Sequence, residues 1–446
     1  MDNRTIAAIS TPQGAGGIAV IRISGSDAIE ISSRIFSGKT SISEAKTHTV
    51  HYGHIISGGE TIDEVLVTVM RAPRTFTRED VVEISTHGGY IASRRVLAAL
   101  FAEGALPAQA GEFTKRAFLN GRIDLSQAEA VIDIINAKTD LAQKNALSQA
   151  DGHLGRRVDT LRSRLVTLAA AMQVSIDYPD EDLEDMTPRQ IEAELSCITA
   201  DLSKLADSAP RGRLIRDGIK TAIIGRPNVG KSSLLNYLAM EERAIVTDIA
   251  GTTRDVIEET VDLDGIPLRL LDTAGIRETD DKIEQLGVER SLKYIDEAEL
   301  VLLVLDAAAG LTSEDKELLE RTADSRRIVL INKTDLTDGF SLPDAISISA
   351  KTGEGIPELS AKIKELCELD AIGSSDITLT NERHLSALLR AKESVMRAKA
   401  AMSGGMAQDF AALDINEAIL ALGEIDGRTV SEDIVAEVFK NFCVGK

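Results

Sequence analysis

Along the first part of the chain apolar and polar positions alternate with a period of two. Segments 18–23, 51–56, 64–69 and 80–84 read as strands separated by glycine-containing breaks. Residues 90–101 then carry apolar side chains at helical spacing, which predicts a small α+β domain over residues 1–118. From Ser126 the period changes to that of a helix. Ser126 and Glu129 read as a capping box ahead of Val131, Ile132 and Ile135 on one face. Helical spacing runs past residue 170 and breaks at Asp177-Tyr178-Pro179-Asp180-Glu181-Asp182, where proline and clustered acids mark a turn. That acidic run reads as a solvated loop, with cation chelation as the alternative. Helical spacing resumes over 187–209 and again from Thr380 to the end.

Between these helical stretches lie short, largely apolar runs at 221–224, 268–271, 328–331 and 345–348, the mark of parallel strands buried on both faces. They predict an α/β unit over 217–372. The flanking segments 119–216 and 373–446 then form one discontinuous helical domain, because the last ~70 residues are marginal alone and need a partner. The expected fold class is multidomain α/β plus α, with an α/β domain inserted into a helical one. Such an insertion would transmit motion through two connections.

The first apolar run leads into Gly225-Arg226-Pro227-Asn228-Val229-Gly230-Lys231-Ser232, which matches the phosphate loop G-x-x-x-x-G-K-[S/T] in full. Glycines let the backbone curl until its N–H groups face phosphate oxygens. Lys231 would reach the β- and γ-phosphates, Ser232 would hold magnesium, and Ser233 opens the helix whose N-terminus faces the anion. The run at 328–331 ends in Asn332-Lys333-Thr334-Asp335. A carboxylate there accepts both guanine donors, the ring N–H and the exocyclic amine, which adenine does not offer as a pair, so GTP is favoured over ATP. Ser349-Ala350-Lys351 resembles the loop that completes guanine pockets. The run at 268–271 leads into Asp272-Thr273-Ala274-Gly275, a carboxylate for magnesium and a mobile glycine beside the γ-phosphate, and Gly251-Thr252-Thr253-Arg254-Asp255 supplies a switch threonine. In order, these segments resemble the five sequence elements of translation-factor-class GTPases. Many signalling GTPases place a water-orienting glutamine after the glycine of D-x-x-G, but here that residue is Ile276. Asn228 is a candidate ligand for a monovalent cation replacing an arginine finger; the alternative is an asparagine bonded within its own loop. Glu284 is a candidate for orienting water, or a solvated helix residue.

A net charge of −21 excludes broad phosphate neutralisation as a binding mode, so an RNA substrate would need a local basic face or a partner. The local basic clusters are Lys115-Arg116 with Arg122, Arg156-Arg157 with Arg162 and Arg164, and Arg211, Arg213, Arg216 and Lys220, each alternatively a solvated face. Cys197, Cys367 and Cys443 are too scattered for a disulfide framework or zinc site, and the histidines do not cluster. With no secretion signal and no apolar run near ~20 residues, the expectation is a cytoplasmic protein without a membrane span.

Gly111-Glu112-Phe113-Thr114-Lys115-Arg116-Ala117-Phe118-Leu119-Asn120-Gly121, Asp124-Leu125-Ser126-Gln127-Ala128-Glu129-Ala130 and the terminal Phe442-Cys443-Val444-Gly445-Lys446 together resemble the MnmE (TrmE) family of tRNA modification GTPases. Thr11-Pro12, Gly16-Gly17, Arg22-Ile23-Ser24-Gly25, His87-Gly88-Gly89 and the run Ile249 to Asp255 add to the likeness, which covers the whole chain. The resemblance implies a folate-binding, dimer-forming N-terminal domain, a helical domain and an inserted GTPase domain. It also implies a flavin-dependent partner, MnmG, in a heterotetramer-type complex. Together they would modify carbon 5 of the tRNA wobble uridine with aminomethyl or carboxymethylaminomethyl groups, taking one carbon from 5-formyl- or methylene-tetrahydrofolate. Potassium would then fall on Asn228, Thr247, Ile249 and Thr252, and magnesium on Ser232 and Thr253. Thr247, Asp248, Ile249, Ala250, Gly251 and Thr252 would line the nucleotide. Glu284, Thr253 and Asp272 would be catalytic, and folate would touch Arg22, Glu83, Arg122 and Lys446. At Arg122 the family's counterpart is a lysine, whose point charge differs in geometry from a guanidinium. Cys443 beside the terminal signature is a candidate reactive thiol, the alternative being an ordinary free cysteine. The competing class is a regulatory GTPase whose output is binding. A transporter ATPase is disfavoured by the guanine-reading Asp335.

Overall fold

The computed structural model describes residues 4–12, 14–177, 186–241, 259–271, 294–337, 340–368, 378–404, 406, 408–440 and 442–445. The chain divides into two compact units, one of Met1–Ile132, Gln149–Asp185 and Ala407–Lys446, the other of Asp133–Ser148 and Met186–Met406.

The first unit is built on a seven-stranded sheet. Its strands are β1 (Ile6–Ile9), β2 (Ile18–Ser24), β3 (Phe36–Gly38), β4 (Thr49–Ser57), β5 (Glu60–Met70), β6 (Val81–His87) and β7 (Leu106–Pro107), in the order β3-β4-β5-β6-β2-β1-β7. Alternation puts Ile21, Ile23, Val67, Val69, Val82 and Ile84 in one core with Val96 and Leu100 of the helix Tyr90–Ala102. Each such side chain contributes roughly 1.5–3 kcal/mol by leaving water. The same alternation turns Arg22 and Glu83 away from that core, and the β2–β6 register sets them directly opposite each other.

Helix Leu125–Asn136 is capped two residues earlier than the Ser126–Glu129 reading expects. Asp124 Oδ1 accepts from Gln127 N at 2.8 Å and from Ser126 Oγ at 2.7 Å, while Gln127 Oε1 accepts from Asp124 N at 3.0 Å. Both registers satisfy the capping rule, and the earlier one places Leu125, fully buried, inside the first turn of the apolar face. Val435 and Phe439 of helix Glu432–Lys440 pack on Leu125, Ala128 and Phe118. In the same unit helix His153–Asp177 packs along Gln408–Asp426.

The second unit carries a six-stranded sheet of β8 (Ile219–Ile224), β9 (Glu259–Leu263), β10 (Ile266–Leu270), β11 (Leu300–Asp306), β12 (Arg327–Asn332) and β13 (Ile346–Ser347), ordered β13-β12-β11-β8-β10-β9. Only β9 runs antiparallel to its neighbour, in a hairpin with β10. Six of the seven residues of β11 are buried, as a central parallel strand requires. The chain leaves β8 for one side of the sheet and reaches β11 on the other, so the crevice at the carboxyl end of β8 is a topological switch point, the place where α/β sheets bind ligands. Helices Pro188–Ala206 and Glu382–Ser403 pack along each other in this unit. Among the described residues no helix is long and apolar enough to cross a membrane.

Candidate functional site

The phosphate loop occupies that switch point. It leaves β8 at Gly225 and enters helix Lys231–Glu241. Three of its residues take positive φ, Gly225 at 151°, Asn228 at 62° and Gly230 at 100°. At Gly230 a Cβ would stand 2.2 Å from Asn332 Nδ2, so glycine is required both by conformation and by space. Lys231 Nζ donates to Gly225 O at 2.7 Å and Arg226 O at 2.8 Å, which holds the ammonium in the mouth of the curl. Burial pushes its pKa below the usual lysine value. Ser232 and Ser233 are exposed on the first turn of the helix, where N–H groups and helix dipole favour an anion.

Asn332, at the end of β12 and 2% exposed, joins the phosphate loop to the base-reading loop. Its Nδ2 donates to Val229 O at 2.8 Å and its Oδ1 accepts from Ala350 N at 2.9 Å. Losing either bond would leave a buried polar group unpaired at about 1–3 kcal/mol. Ser349 Oγ donates to Asp335 Oδ1 at 2.9 Å, which orients the exposed carboxylate and leaves its other acceptor sites for a base. The structure therefore brings together Asn332, Asp335, Ser349 and Ala350 with Asn228 to Ser233; Lys351 follows as an exposed residue of the same loop.

Two further pairs steady the site. Lys333, left-handed at φ 71°, donates from Nζ to Asn228 O at 2.7 Å and to Asp306 Oδ2 at 2.6 Å, tying the loop to the end of β11. Burial pushes the Asp306 carboxyl up, but Lys333 and the N–H groups of Ala308 and Ala309 outweigh this and hold it below the usual carboxylate range. Arg226 Nε meets the fully buried Asp315 at 2.8 Å, and Asp315 in turn closes a capping box with Thr312 at the start of helix Ser313–Arg321. An aspartate at the end of a buried strand is the signal for Asp306. For Asp315 the Thr312-x-x-Asp315 spacing gives the cap but not the arginine. Asn228 is exposed at the tip of the loop.

Thr247, Asp248, Ile249, Ala250, Gly251, Thr252, Thr253, Asp272, Thr273, Ala274, Gly275, Ile276, Glu284 and Lys446 lie outside the described residues.

In the first unit, Arg22 donates from Nε to Glu83 Oε1 at 2.8 Å and from Nη1 to Gly445 O at 3.2 Å, and its guanidinium lies 5.7 Å from the centre of the Phe113 ring. The C-terminal segment reaches this pair because Val444 bridges Ala110 and Gly111 N donates to Cys443 O at 3.2 Å. Arg22, Glu83 and Gly445 thus meet, with Cys443 exposed nearby in the chain. Arg122 is not bonded to this group: it lies over Phe76, at 4.7 Å from the ring centre, and donates from Nη1 to Phe76 O at 3.2 Å.

Two family models match the chain, one described as the GTP-binding protein TrmE N-terminus over residues 5–122 and the other as the MnmE helical domain over residues 125–443. A tRNA modification GTPase MnmE of Listeria innocua is 50% identical over 457 aligned residues, covering 100% of both chains. Another protein of that name, from Acetivibrio thermocellus, is 48% identical over 454 residues, covering 99% of each. Among solved structures, Aquifex aeolicus Era bound to GDP and aluminium fluoride aligns at 28% identity with 40% of this chain and 67% of its own, at a TM-score of 0.26. Full-length identity at this level, on top of an intact phosphate loop and guanine-reading loop, places the chain in the MnmE family of tRNA modification GTPases.

Proposed function

We propose that the chain couples GTP hydrolysis to covalent modification of tRNA. In this reading it works with the flavoprotein MnmG to add aminomethyl or carboxymethylaminomethyl groups to carbon 5 of the wobble uridine, drawing one carbon from a tetrahydrofolate. The observation that carries it is the pairing of two sites in one chain: a nucleotide crevice built by Asn228–Ser233, Asn332, Asp335 and Ser349, and a second polar centre of Arg22, Glu83 and Gly445. Residues 1–118 would be the folate and dimer domain, 217–372 the GTPase domain, and 119–216 with 373–446 the helical domain of a cytoplasmic homodimer.

The residues present suit the groups this reading needs. Glu83 is an acceptor for the amino-pyrimidinone edge of a pterin, by the same donor-pair logic as Asp335 for guanine, and Arg22 orients it. Lys446 and Arg122 would complete the folate contacts. Magnesium would be held by Ser232 and Thr253 and would neutralise phosphate charge. Potassium would be held by Asn228, whose exposed carboxamide oxygen is a suitable neutral ligand, together with Thr247, Ile249 and Thr252. Glu284 would orient water in place of the missing glutamine, beside Thr253 and Asp272.

Two experiments test this. Titration with 5-formyltetrahydrofolate is expected to show saturable binding that Arg22→Gln weakens at least about tenfold by removing a charge-assisted contact. A chain that binds none would favour the regulatory GTPase. Hydrolysis of GTP is expected to be at least about tenfold faster in potassium than in sodium at matched ionic strength, an advantage lost in Asn228→Ala. Equal rates in the two salts would remove potassium from the mechanism.

A further inference from the structure

The phosphate loop is held by several elements of the second unit at once. Gly225 passes so close over β11 that a Cβ there would stand 2.4 Å from Val304 O. Asn228 is tied through its carbonyl to Lys333, and Val229 through its carbonyl to Asn332. Arg226 is held by its side chain, whose Nε donates to Asp315 Oδ1 at 2.8 Å. Asp315 reaches the loop from the first turn of helix Ser313–Arg321. Its other oxygen, Oδ2, is engaged in the cap, where it accepts from Thr312 N at 3.0 Å and Thr312 Oγ1 at 2.8 Å. The cap therefore accounts for one oxygen and not for the one turned to Arg226.

Stability does not account for it either. Taking two charges out of water offsets most of what their attraction returns, so a buried ion pair stabilises a fold little more than apolar side chains of the same volume. Asp315 is fully buried and the Arg226 side chain is 18% exposed. Arg226 Nη2 is in addition buried without a hydrogen-bond acceptor among the described residues, which weakens the fold further. A buried polar group left unpaired beside a reaction centre points to a task other than packing.

That task is visible one contact further on. Lys231 Nζ rests on two carbonyls, Gly225 O at 2.7 Å and Arg226 O at 2.8 Å. Backbone fit over β11 fixes the first. The second points where the anchored Arg226 side chain sets its residue. We propose that Asp315 is a positioning residue for GTP hydrolysis, gripping Arg226 so that its carbonyl aims the Lys231 ammonium at the transferring phosphoryl group. The ammonium matters most where negative charge develops, and misplacing such a group by about 1 Å costs up to about 10²-fold in rate. The main-chain N–H groups that hold the ground-state phosphates stay in place when the pair is lost, so turnover rather than affinity reports the contact.

The test is steady-state hydrolysis of GTP by the full chain. Arg226→Gln/Asp315→Asn replaces the ion pair with neutral groups of similar size, so no charge is stranded in the interior. Its kcat is expected to fall about tenfold, with KM changed by less than about threefold. Leu318→Ala checks for a purely structural role, since it loosens the same helix from the sheet without touching Arg226. It should lower the thermal transition and keep kcat within about twofold of wild type. A Lys231→Ala background adds a readout that a structural role would not move. There the double substitution should cost nothing further, because the contact it breaks acts through that ammonium. Should the double variant fail to fold, Arg226→Lys leaves Asp315 a counter-charge without the planar fork, and its kcat is expected to fall at least about threefold under the same comparison. Wild-type kcat in the folded pair variant, an equal loss from Leu318→Ala, or a loss undiminished in the Lys231→Ala background would each overturn the proposal and leave Asp315 a structural residue.

Discussion

Asp335→Asn is expected to lower affinity for GTP by about 10²–10⁴-fold and to raise affinity for xanthosine triphosphate above it. The reason lies in donor counting. Ser349 Oγ holds one side of the Asp335 carboxylate, and the remaining acceptor sites suit the adjacent N–H donors of guanine. A carboxamide in the same place offers one acceptor and one donor. Guanine then sets an amine against an amide N–H, whereas xanthine, with a carbonyl in place of that amine, complements the amide. Titration of the two nucleotides against wild type and variant reads the exchange directly, and an unchanged preference for GTP would mean that the base is recognised elsewhere. Because Asp335 is exposed and an asparagine Oδ1 can still accept from Ser349 Oγ, the variant should keep its fold; Asn332 ties the phosphate loop to the base-reading loop.

The second large effect is expected from Lys231→Ala, with GTP hydrolysis reduced by at least about 10²-fold. Lys231 holds its ammonium in the curl of the phosphate loop, where it donates to the carbonyls of Gly225 and Arg226. Those oxygens gain little from a charge that phosphate oxygens would use far better, and the lowered dielectric around a half-buried group strengthens that exchange. Alanine removes the charge where negative charge develops during phosphoryl transfer, while the neighbouring N–H groups still bind the ground state, so turnover should fall further than affinity. Steady-state kinetics with GTP would show it. A variant that retains wild-type turnover would remove Lys231 from the chemistry.

The nucleotide crevice was legible in the sequence because its parts are contiguous motifs attached to buried strands. Gly225–Ser232, Asn332–Asp335 and Ser349–Lys351 each carry their own chemistry and each follow an apolar run that becomes β8, β12 or β13. The four strands read in the first unit recur as β2, β4, β5 and β6, since period-two alternation survives wherever one sheet face is buried. What escaped was the short and the distant. β1 has four residues and helix Ala28–Ile35 eight, too few for a period to stand out, and β11 is an unbroken apolar run carrying no motif. Lys333 meets Asp306 across 27 positions and Arg226 meets Asp315 across 89, distances over which pattern says nothing. Two capping registers fit the sequence rule, Ser126–Glu129 and Asp124–Gln127, and only burial of Leu125 chooses the second.

If hydrolysis at the nucleotide crevice serves covalent modification of tRNA, mass spectrometry of nucleosides from total tRNA of cells lacking this gene, complemented with the intact chain or with Lys231→Ala, will show it. Carbon-5 aminomethyl-type wobble uridines are expected to be lost, and to be restored by the intact chain and not by the variant. An unchanged nucleoside profile in cells with no second gene of this kind would contradict it, and would make the chain a GTPase whose output is binding.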